Sequence, residues 1–235
     1  MIHRNGNPKT RNGTNPMYHT ILFDLDGTLT ASGEGITKSV QYALARMGRP
    51  EPDLKKLELF IGPPLTEQFM QYAGYDYATA KRATGYFRER YETVGLFENK
   101  PFPGVDRLLQ GLRDSGRTLC VASSKPEKFV RIILQHFGLD GYFAEMVGAH
   151  MDETGSHKDE IIGEALRRLG LTDHRAGTIM VGDKSHDIVG ARQQGLPAIG
   201  VTYGYGTPAE LEAAHPLQIV GSLTELRDFF AADKA

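Results

Sequence analysis

The chain has 235 residues, 40% of them apolar and 24% charged, with a formal net charge of -2. This describes a globular chain long enough for one domain or a domain with an insertion, and it offers no global basic field for nucleic acid. The single cysteine, Cys120, rules out an intrachain disulfide framework, and no apolar run reaches the ~18 residues of a membrane-spanning helix.

The first 16 residues, MIHRNGNPKTRNGTNP, carry Arg4, Lys9 and Arg11, no acid and no apolar periodicity. They are expected to be a disordered tail, residues 1–16. A secretory signal needs an apolar core of at least ~7 residues, and none stands here. A cytoplasmic location is therefore expected, with neither nucleic acid nor membrane as a partner.

Thr20–Phe23 then reads as a short buried strand. Apolar residues at Ile36, Val40, Ala43, Leu44 and Met47 give helical spacing over 34–47, closed by Gly48. From there to about Asn99 the periodicity stays mostly helical, with a break at Gly62-Pro63-Pro64 and a helix expected over 65–73. Lys100-Pro101-Phe102-Pro103-Gly104 reads as a hinge or linker.

Strands and helices alternate after it. A helix is expected over 105–115, a strand over 118–122 and a helix over 126–137, with Pro126 suited to its first turn. A strand at 143–148 and a helix at 158–169 follow, then a strand at 178–181 and a helix at 185–194. A strand at 198–202 and a helix at 223–230 close the chain. Cys120, inside an apolar strand, reads as a small core residue. Repeated βα units with buried strands predict a doubly wound α/β core around a parallel sheet covered on both faces. The expected division is a core of residues 17–32 and 101–235 with a helical insertion, 33–100.

The strand ends carry the chemistry. Asp24-Leu25-Asp26-Gly27-Thr28 follows the first strand, Ser123-Ser124-Lys125 follows the serine strand, and Gly182-Asp183 with Asp187 follows the strand at 178–181. Lys158 opens a helix. Ligands of open α/β sheets bind at the carboxyl ends of strands, so these acids, a hydroxyl and an ammonium are expected to converge on one rim. Asp24 and Asp26 lie two residues apart and can both face it. Gly27 lets the backbone turn sharply, and its neighbouring amides can donate to an anion. Asp183 and Asp187, four apart across a strand-to-helix junction, can present two carboxylates to one cation. Ser123 with the amides after it makes a small anion site ahead of a helix. Lys184 and His186 read as surface or packing residues, and Lys125 is divided between the rim and solvent.

In this order the motifs FDLDGTLT, Ser123, Lys158 and VGDKSHD resemble the haloacid dehalogenase-like hydrolase superfamily, in its phosphatase branch, over nearly the whole chain. The resemblance implies a Rossmann-like core with a helical cap inserted after the first motif. It implies Asp24 as a nucleophile forming an aspartyl-phosphate, and Asp26 as general acid and then general base. Thr28 would support Asp26. Gly27, Thr28, Ser123, Ser124 and Lys158 would bind phosphate. Mg2+ would be held by Asp24, the backbone carbonyl of Asp26, Asp183 and Asp187, with Asp187 direct or through water. The chain departs from relatives at Ser124, where asparagine is commoner, at Lys158, which lacks the prolines that usually follow, and at Ala31, where an aspartate is common. IGPPL, the proline-free lysine motif and VGDKSHDIVGA resemble a bacterial 5′-nucleotidase-like subgroup more than typical phosphoglycolate phosphatases.

The implied substrate is a small phosphorylated metabolite. Residues 32–100 hold 10 of the chain's 21 Phe and Tyr residues. At least half are expected to pack the insertion's own core. A few would instead form a flat apolar wall on which a base can stack, which favours nucleoside 5′-monophosphates over 2-phosphoglycolate. A phosphomutase and a non-catalytic protein on the same fold are the other readings.

Overall fold

Thr20–Phe23 forms a strand, β1, and its side chains divide between two cores. Ile21 and Phe23 join one apolar cluster and Leu22 the other, and none of the three is exposed. The same two-residue alternation recurs in the neighbouring strands β2 (Thr118–Pro126), β4 (Thr178–Gly182) and β5 (Ala198–Val201). With β3 (Glu145–Ala149) and β6 (Gln218–Val220) they make one sheet in the order β3-β2-β1-β4-β5-β6, every pairing parallel. This computed structural model describes residues 18–233. The tail expected at 1–16 lies outside them. None of the described helices is long and apolar enough to cross a membrane.

One face of the sheet is covered by α4 (Val105–Asp114), α5 (Glu127–His136) and α9 (Leu223–Ala232), the other by α6 (Lys158–Arg168), α7 (Ser185–Gln193) and α8 (Pro208–Ala214). Each α4 turn delivers an apolar side chain inward, through Val105, Leu108, Leu109 and Leu112. Chain order runs outward from β1 to β3 and then returns to β4. The strand order therefore reverses between β1 and β4, which is where open α/β sheets place ligands.

Between β1 and α4 the described chain is helical: α1 (Gly33–Arg46), a 3-10 turn Leu54–Phe60, α2 (Leu65–Ala73), α3 (Tyr77–Arg90) and a π-helical turn Tyr91–Gly95. The two connections to the sheet run side by side. Thr30 bridges Pro101 in antiparallel fashion, and Ala31 N–H donates to Lys100 O at 2.8 Å.

Three expectations need correction. The serine strand does not stop at Ala122 but runs on to Pro126, and the helix begins at Glu127. Pro126 has φ -51° and ψ 130°, an extended ψ that keeps it ahead of the helix, and the pairing with β3 shifts register between Ser123 and Pro126. A bulge is one of the few places where a strand accepts proline. The strand expected from residue 143 starts at Glu145, because Asp140–Tyr142 winds into a 3-10 turn ending on Phe143. Finally, α8 and β6 were not anticipated. A seven-residue helix and a three-residue strand in which only Val220 is buried are too short to show periodicity.

Candidate active site

The end of β1 places Asp24 beside β4. Its amide still joins the ladder, donating to Val181 O at 2.9 Å, and its side chain is buried. β4 ends at Gly182, which sets Asp183 on the same rim, and the first turn of α7 brings Asp187 back over it. Oxygens of Asp24, Asp183 and Asp187 lie within 4.8 Å of one another, all three residues buried.

Lys158, the first residue of α6, enters this cluster from the side. Its Nζ lies 2.7 Å from Asp24 Oδ1 and 2.7 Å from Asp187 Oδ1, and donates to Ala122 O at 3.0 Å. Two of the ammonium's donors go to Asp24 Oδ1 and Ala122 O, and Asp187 Oδ1 lies at ion-pair distance. Lys158 thus pairs with both carboxylates. Three carboxylates against one ammonium leave net negative charge in a buried place. Burial pushes Asp24 up to about 6, helped by the charges of Asp187 and Asp26 and opposed by Lys158. Asp183 is raised well above the usual carboxylate range, by burial first and then by Asp187 and Asp24. Burial also acts to raise Asp187, but Lys158 outweighs it, aided by His186 and the Lys184 amide, and holds Asp187 below its ordinary value. Lys158 is raised because its two carboxylates overcome the cost of burial.

The site's residues fit a cation. Asp183 Oδ1 is buried without a hydrogen-bond partner, while its other oxygen accepts the Tyr205 N–H at 2.7 Å. The donor set is all hard oxygen, which suits Mg2+.

Asp26 faces elsewhere. Its Oδ2 lies 2.8 Å from Lys125 Nζ, and that ammonium also donates to Tyr91 OH at 2.6 Å. Of the two destinations open to Lys125, the structure therefore gives the rim. Asp26 and the Tyr91 ring seat Lys125 in a buried position. Ser123 is buried, with its Oγ 3.4 Å from the Lys125 amide, and Ser124 lines the adjoining cleft. The Gly27 amide donates to Thr30 O at 2.8 Å and the Thr28 amide to Leu25 O at 3.3 Å. Those two amides are occupied within the turn. Thr28 Oγ1 has no hydrogen-bond partner, so no hydroxyl hydrogen bond ties it to Asp26. His186 and Lys184 are half-buried beside Gly62, as packing residues.

One contributing segment was missed in the sequence. The loop Tyr203-Gly204-Tyr205-Gly206 after β5 wraps Asp183. Tyr205 N–H holds Asp183 Oδ2, and Tyr205 OH accepts the Gly33 N–H at 2.6 Å, at the start of α1. A Cβ on Gly204 would lie 2.3 Å from Gly27 O and 2.4 Å from Asp183 Oδ2, so only glycine lets the loop approach this closely. The available signal was two glycines alternating with two tyrosines directly after a buried strand.

A cleft leads from Asp26 and Lys125 up to the helical segment. Its apolar wall is Phe60, Phe87, Tyr91 and Phe129. Of the ten aromatic residues in 32–100, Phe60, Phe87 and Tyr91 line the cleft, while Phe69 and Tyr72 pack against Phe60 in the insertion.

Residues 21–201 match the family model described as haloacid dehalogenase-like hydrolase. The chain belongs to this family. It is 48% identical over 210 residues to a 5′-nucleotidase of Pseudomonas aeruginosa, covering 89% of this chain and 94% of that one. It is 37% identical over 186 residues to the tyrosine-protein kinase PtkA of Mycobacterium tuberculosis, covering 79% of this chain and 62% of that one. Among solved structures, a predicted phosphatase from Clostridium acetobutylicum superposes with a TM-score of 0.88 at 44% identity, covering 92% of this chain and 99% of that one. The chain is a phosphatase, a phosphoric monoester hydrolase.

Proposed function

We propose that the enzyme is a Mg2+-dependent phosphatase that hydrolyses nucleoside 5′-monophosphates through an aspartyl-phosphate on Asp24, under a cap formed by residues 33–100. The observation that carries the nucleotide reading is the aromatic-walled cleft that opens onto Asp26 and Lys125. A base can stack on such a wall for roughly 1–3 kcal/mol, and 2-phosphoglycolate has no surface that would. The 48% identity to a protein named 5′-nucleotidase points the same way.

In this reading Asp24, Asp183, Asp187 and the carbonyl of Asp26 would hold Mg2+. When bound, the ion offsets the charge that repels a nucleophile from phosphate. Asp24 attacks phosphorus. The bond from phosphorus to the nucleoside oxygen breaks, and Asp26 gives that oxygen its proton. Asp26 then takes a proton from water, the water oxygen bonds to phosphorus, and the bond to Asp24 breaks to release inorganic phosphate. Lys158 keeps Asp24 oriented and ionised. The Ser123 hydroxyl and amides at the end of β2 receive phosphate oxygens ahead of α5.

The enclosed space of the cleft is about 50 Å³, well below the ~300 Å³ at which small-molecule pockets begin. A nucleotide therefore enters with the cap displaced from the core and is enclosed as it returns, which excludes water during transfer. The test is phosphate release with Mg2+ from a panel of 5′-nucleotides, ribose 5-phosphate and 2-phosphoglycolate. At least one nucleotide should show a higher kcat/KM than 2-phosphoglycolate. A clear preference for 2-phosphoglycolate overturns the substrate and leaves the chemistry standing. Turnover without free phosphate would point to a phosphomutase.

A further inference from the structure

We infer that Tyr205 is a positioning residue that couples the cation site to the cap. It joins Asp183, a carboxylate of that site, to the first turn of α1, the helix on which the cap is built. The inference rests on the Mg2+ reading above and goes beyond it by naming the residue through which the site and residues 33–100 act on one another.

At the core end, Lys158 pairs with Asp24 and Asp187. Asp183 is left with the Tyr205 N–H on Oδ2, at 2.7 Å, and no hydrogen-bond partner on its buried Oδ1. At the cap end, the first N–H groups of a helix lack partners within it. Ser32, directly ahead of α1, makes no side-chain cap, and its buried Oγ has no partner. The Gly33 N–H goes instead to Tyr205 OH at 2.6 Å, across 172 residues of sequence. The Gly35 N–H goes to Glu98 O at 3.0 Å, on the returning connection. A Cβ on Gly33 would lie 2.7 Å from Tyr205 OH, so the phenol sits directly against the start of the helix.

The loop that carries Tyr205 is itself held. Its carbonyl accepts from Lys184 Nζ at 3.0 Å, and Tyr203 OH donates to Thr28 O at 3.2 Å. The far side of the tie bears on the cleft. Ile36, Val40 and Leu44 of α1 share an apolar cluster with Phe60, Phe69 and Phe87. α1 also packs on α3, whose Phe87 lines the cleft. With a cation bound, the repulsion among the three carboxylates is offset and Asp183 is fixed. The Tyr205 N–H is then fixed with it, and its hydroxyl is held on Gly33. Coupling between two sites is reciprocal: what Mg2+ adds to the closure of the first turn of α1, that turn adds to Mg2+ affinity. Opening of a helix end is read by amide hydrogen exchange.

The experiment uses the full chain without substrate. It measures Mg2+ affinity by calorimetry and exchange of the Gly33 amide by NMR, with and without Mg2+. In wild type, Mg2+ should slow that exchange by about fivefold or more. Tyr205→Phe removes the hydroxyl and keeps the ring and the N–H to Asp183. Its Gly33 amide should exchange equally in both conditions, and it should bind Mg2+ about fivefold more weakly. Tyr203→Phe takes a hydroxyl from the same loop without touching α1, and its Gly33 amide should respond to Mg2+ as in wild type. If Tyr205→Phe speeds exchange by the same factor with and without Mg2+ and leaves the affinity unchanged, its role is structural only and the coupling is overturned. An equal loss of response in Tyr203→Phe overturns it too. Mg2+ binding to wild type with no response at Gly33 sinks the coupling alone. If wild type binds no Mg2+, the cation reading falls and the coupling falls with it.

Discussion

Lys125 Nζ lies 2.8 Å from Asp26 Oδ2, so the second carboxylate of the first motif has a lysine of its own. Lys158 pairs with Asp24 and Asp187 and also donates to Ala122 O. Lys125 serves Asp26 and Tyr91 and keeps one donor over. The two ammoniums divide the site: one belongs to the proposed nucleophile, the other to the proposed acid.

That division is measurable through the leaving group. A 4-nitrophenolate leaves without a proton, whereas an alcohol needs one. Lys125→Met and Asp26→Asn should therefore lower kcat on a nucleotide by about 100-fold and on 4-nitrophenyl phosphate by only about tenfold. Lys158→Met should suppress both alike. Equal losses on the two substrates for Lys125→Met would detach that lysine from proton transfer. Both lysine variants remove one partner of a buried pair, and each should cost about 3–5 kcal/mol in urea unfolding.

Asp24→Asn should fold normally and release less than about a tenth of wild-type phosphate, since an amide is a poor nucleophile. Beryllofluoride should inhibit wild type and leave no protected aspartyl adduct in the variant. Retained turnover in a preparation shown by mass spectrometry to be free of deamidation would reassign the nucleophile.

Without metal, the acid cluster should make stability depend on pH. Burial raises Asp24 to about 6, with Asp183 shifted in the same direction. Between the ordinary carboxylate value and about 6, the folded chain holds protons that the unfolded chain has released. Stability then falls as pH rises through that window. Asp187 and His186 have the opposite sign: the change of Asp187 lies below the ordinary carboxylate value and outside the window, whereas burial lowers His186 from its ordinary value and makes the drop shallower within it. In chelator, the Tm should drop from about pH 4.5 to about pH 7, with a shallower drop in Asp24→Asn. Mg2+ should raise Tm most at the upper end, by binding the folded state alone, and activity should fail in chelator. A Tm indifferent to Mg2+ at neutral pH would count against the cation site.

What was legible beforehand follows a physical rule. Asp24, Asp183, Ser123 and Lys158 each stand at a fixed offset from a strand end or helix start, so local pattern fixes where the fold delivers them. The parallel sheet was legible because both faces of β1 and β4 are apolar. Lys125, Tyr205 and Arg88 are different. Where Lys125 points depends on a bulge in β2, Tyr205 reaches Asp183 only through a loop wrapped over the rim, and Arg88 meets the cleft only because α3 packs above it. Such contacts are set by tertiary packing, which leaves no periodic trace.

Two glycines give opposite expectations from the same substitution. Gly27 has φ 91°, and a Cβ there would lie 2.1 Å from Asp183 Oδ2 and 2.9 Å from the Tyr205 ring. Gly27→Ala must move the buried acid or the turn, both held by hydrogen bonds, and strains a left-handed backbone besides. It should cost more than ~1 kcal/mol and raise the Mg2+ concentration needed for half-maximal activity, because Asp183 shifts. Gly85 lies on the exposed face of α3, and a Cβ there meets nothing within 4 Å. Gly85→Ala should stabilise by about 1 kcal/mol through helix propensity alone, with kcat and Mg2+ dependence unchanged. Urea unfolding together with Mg2+ titration of activity separates them. If Gly27→Ala titrates with Mg2+ like wild type, Asp183 does not respond to the turn beneath it, and its place among the metal ligands must be given up.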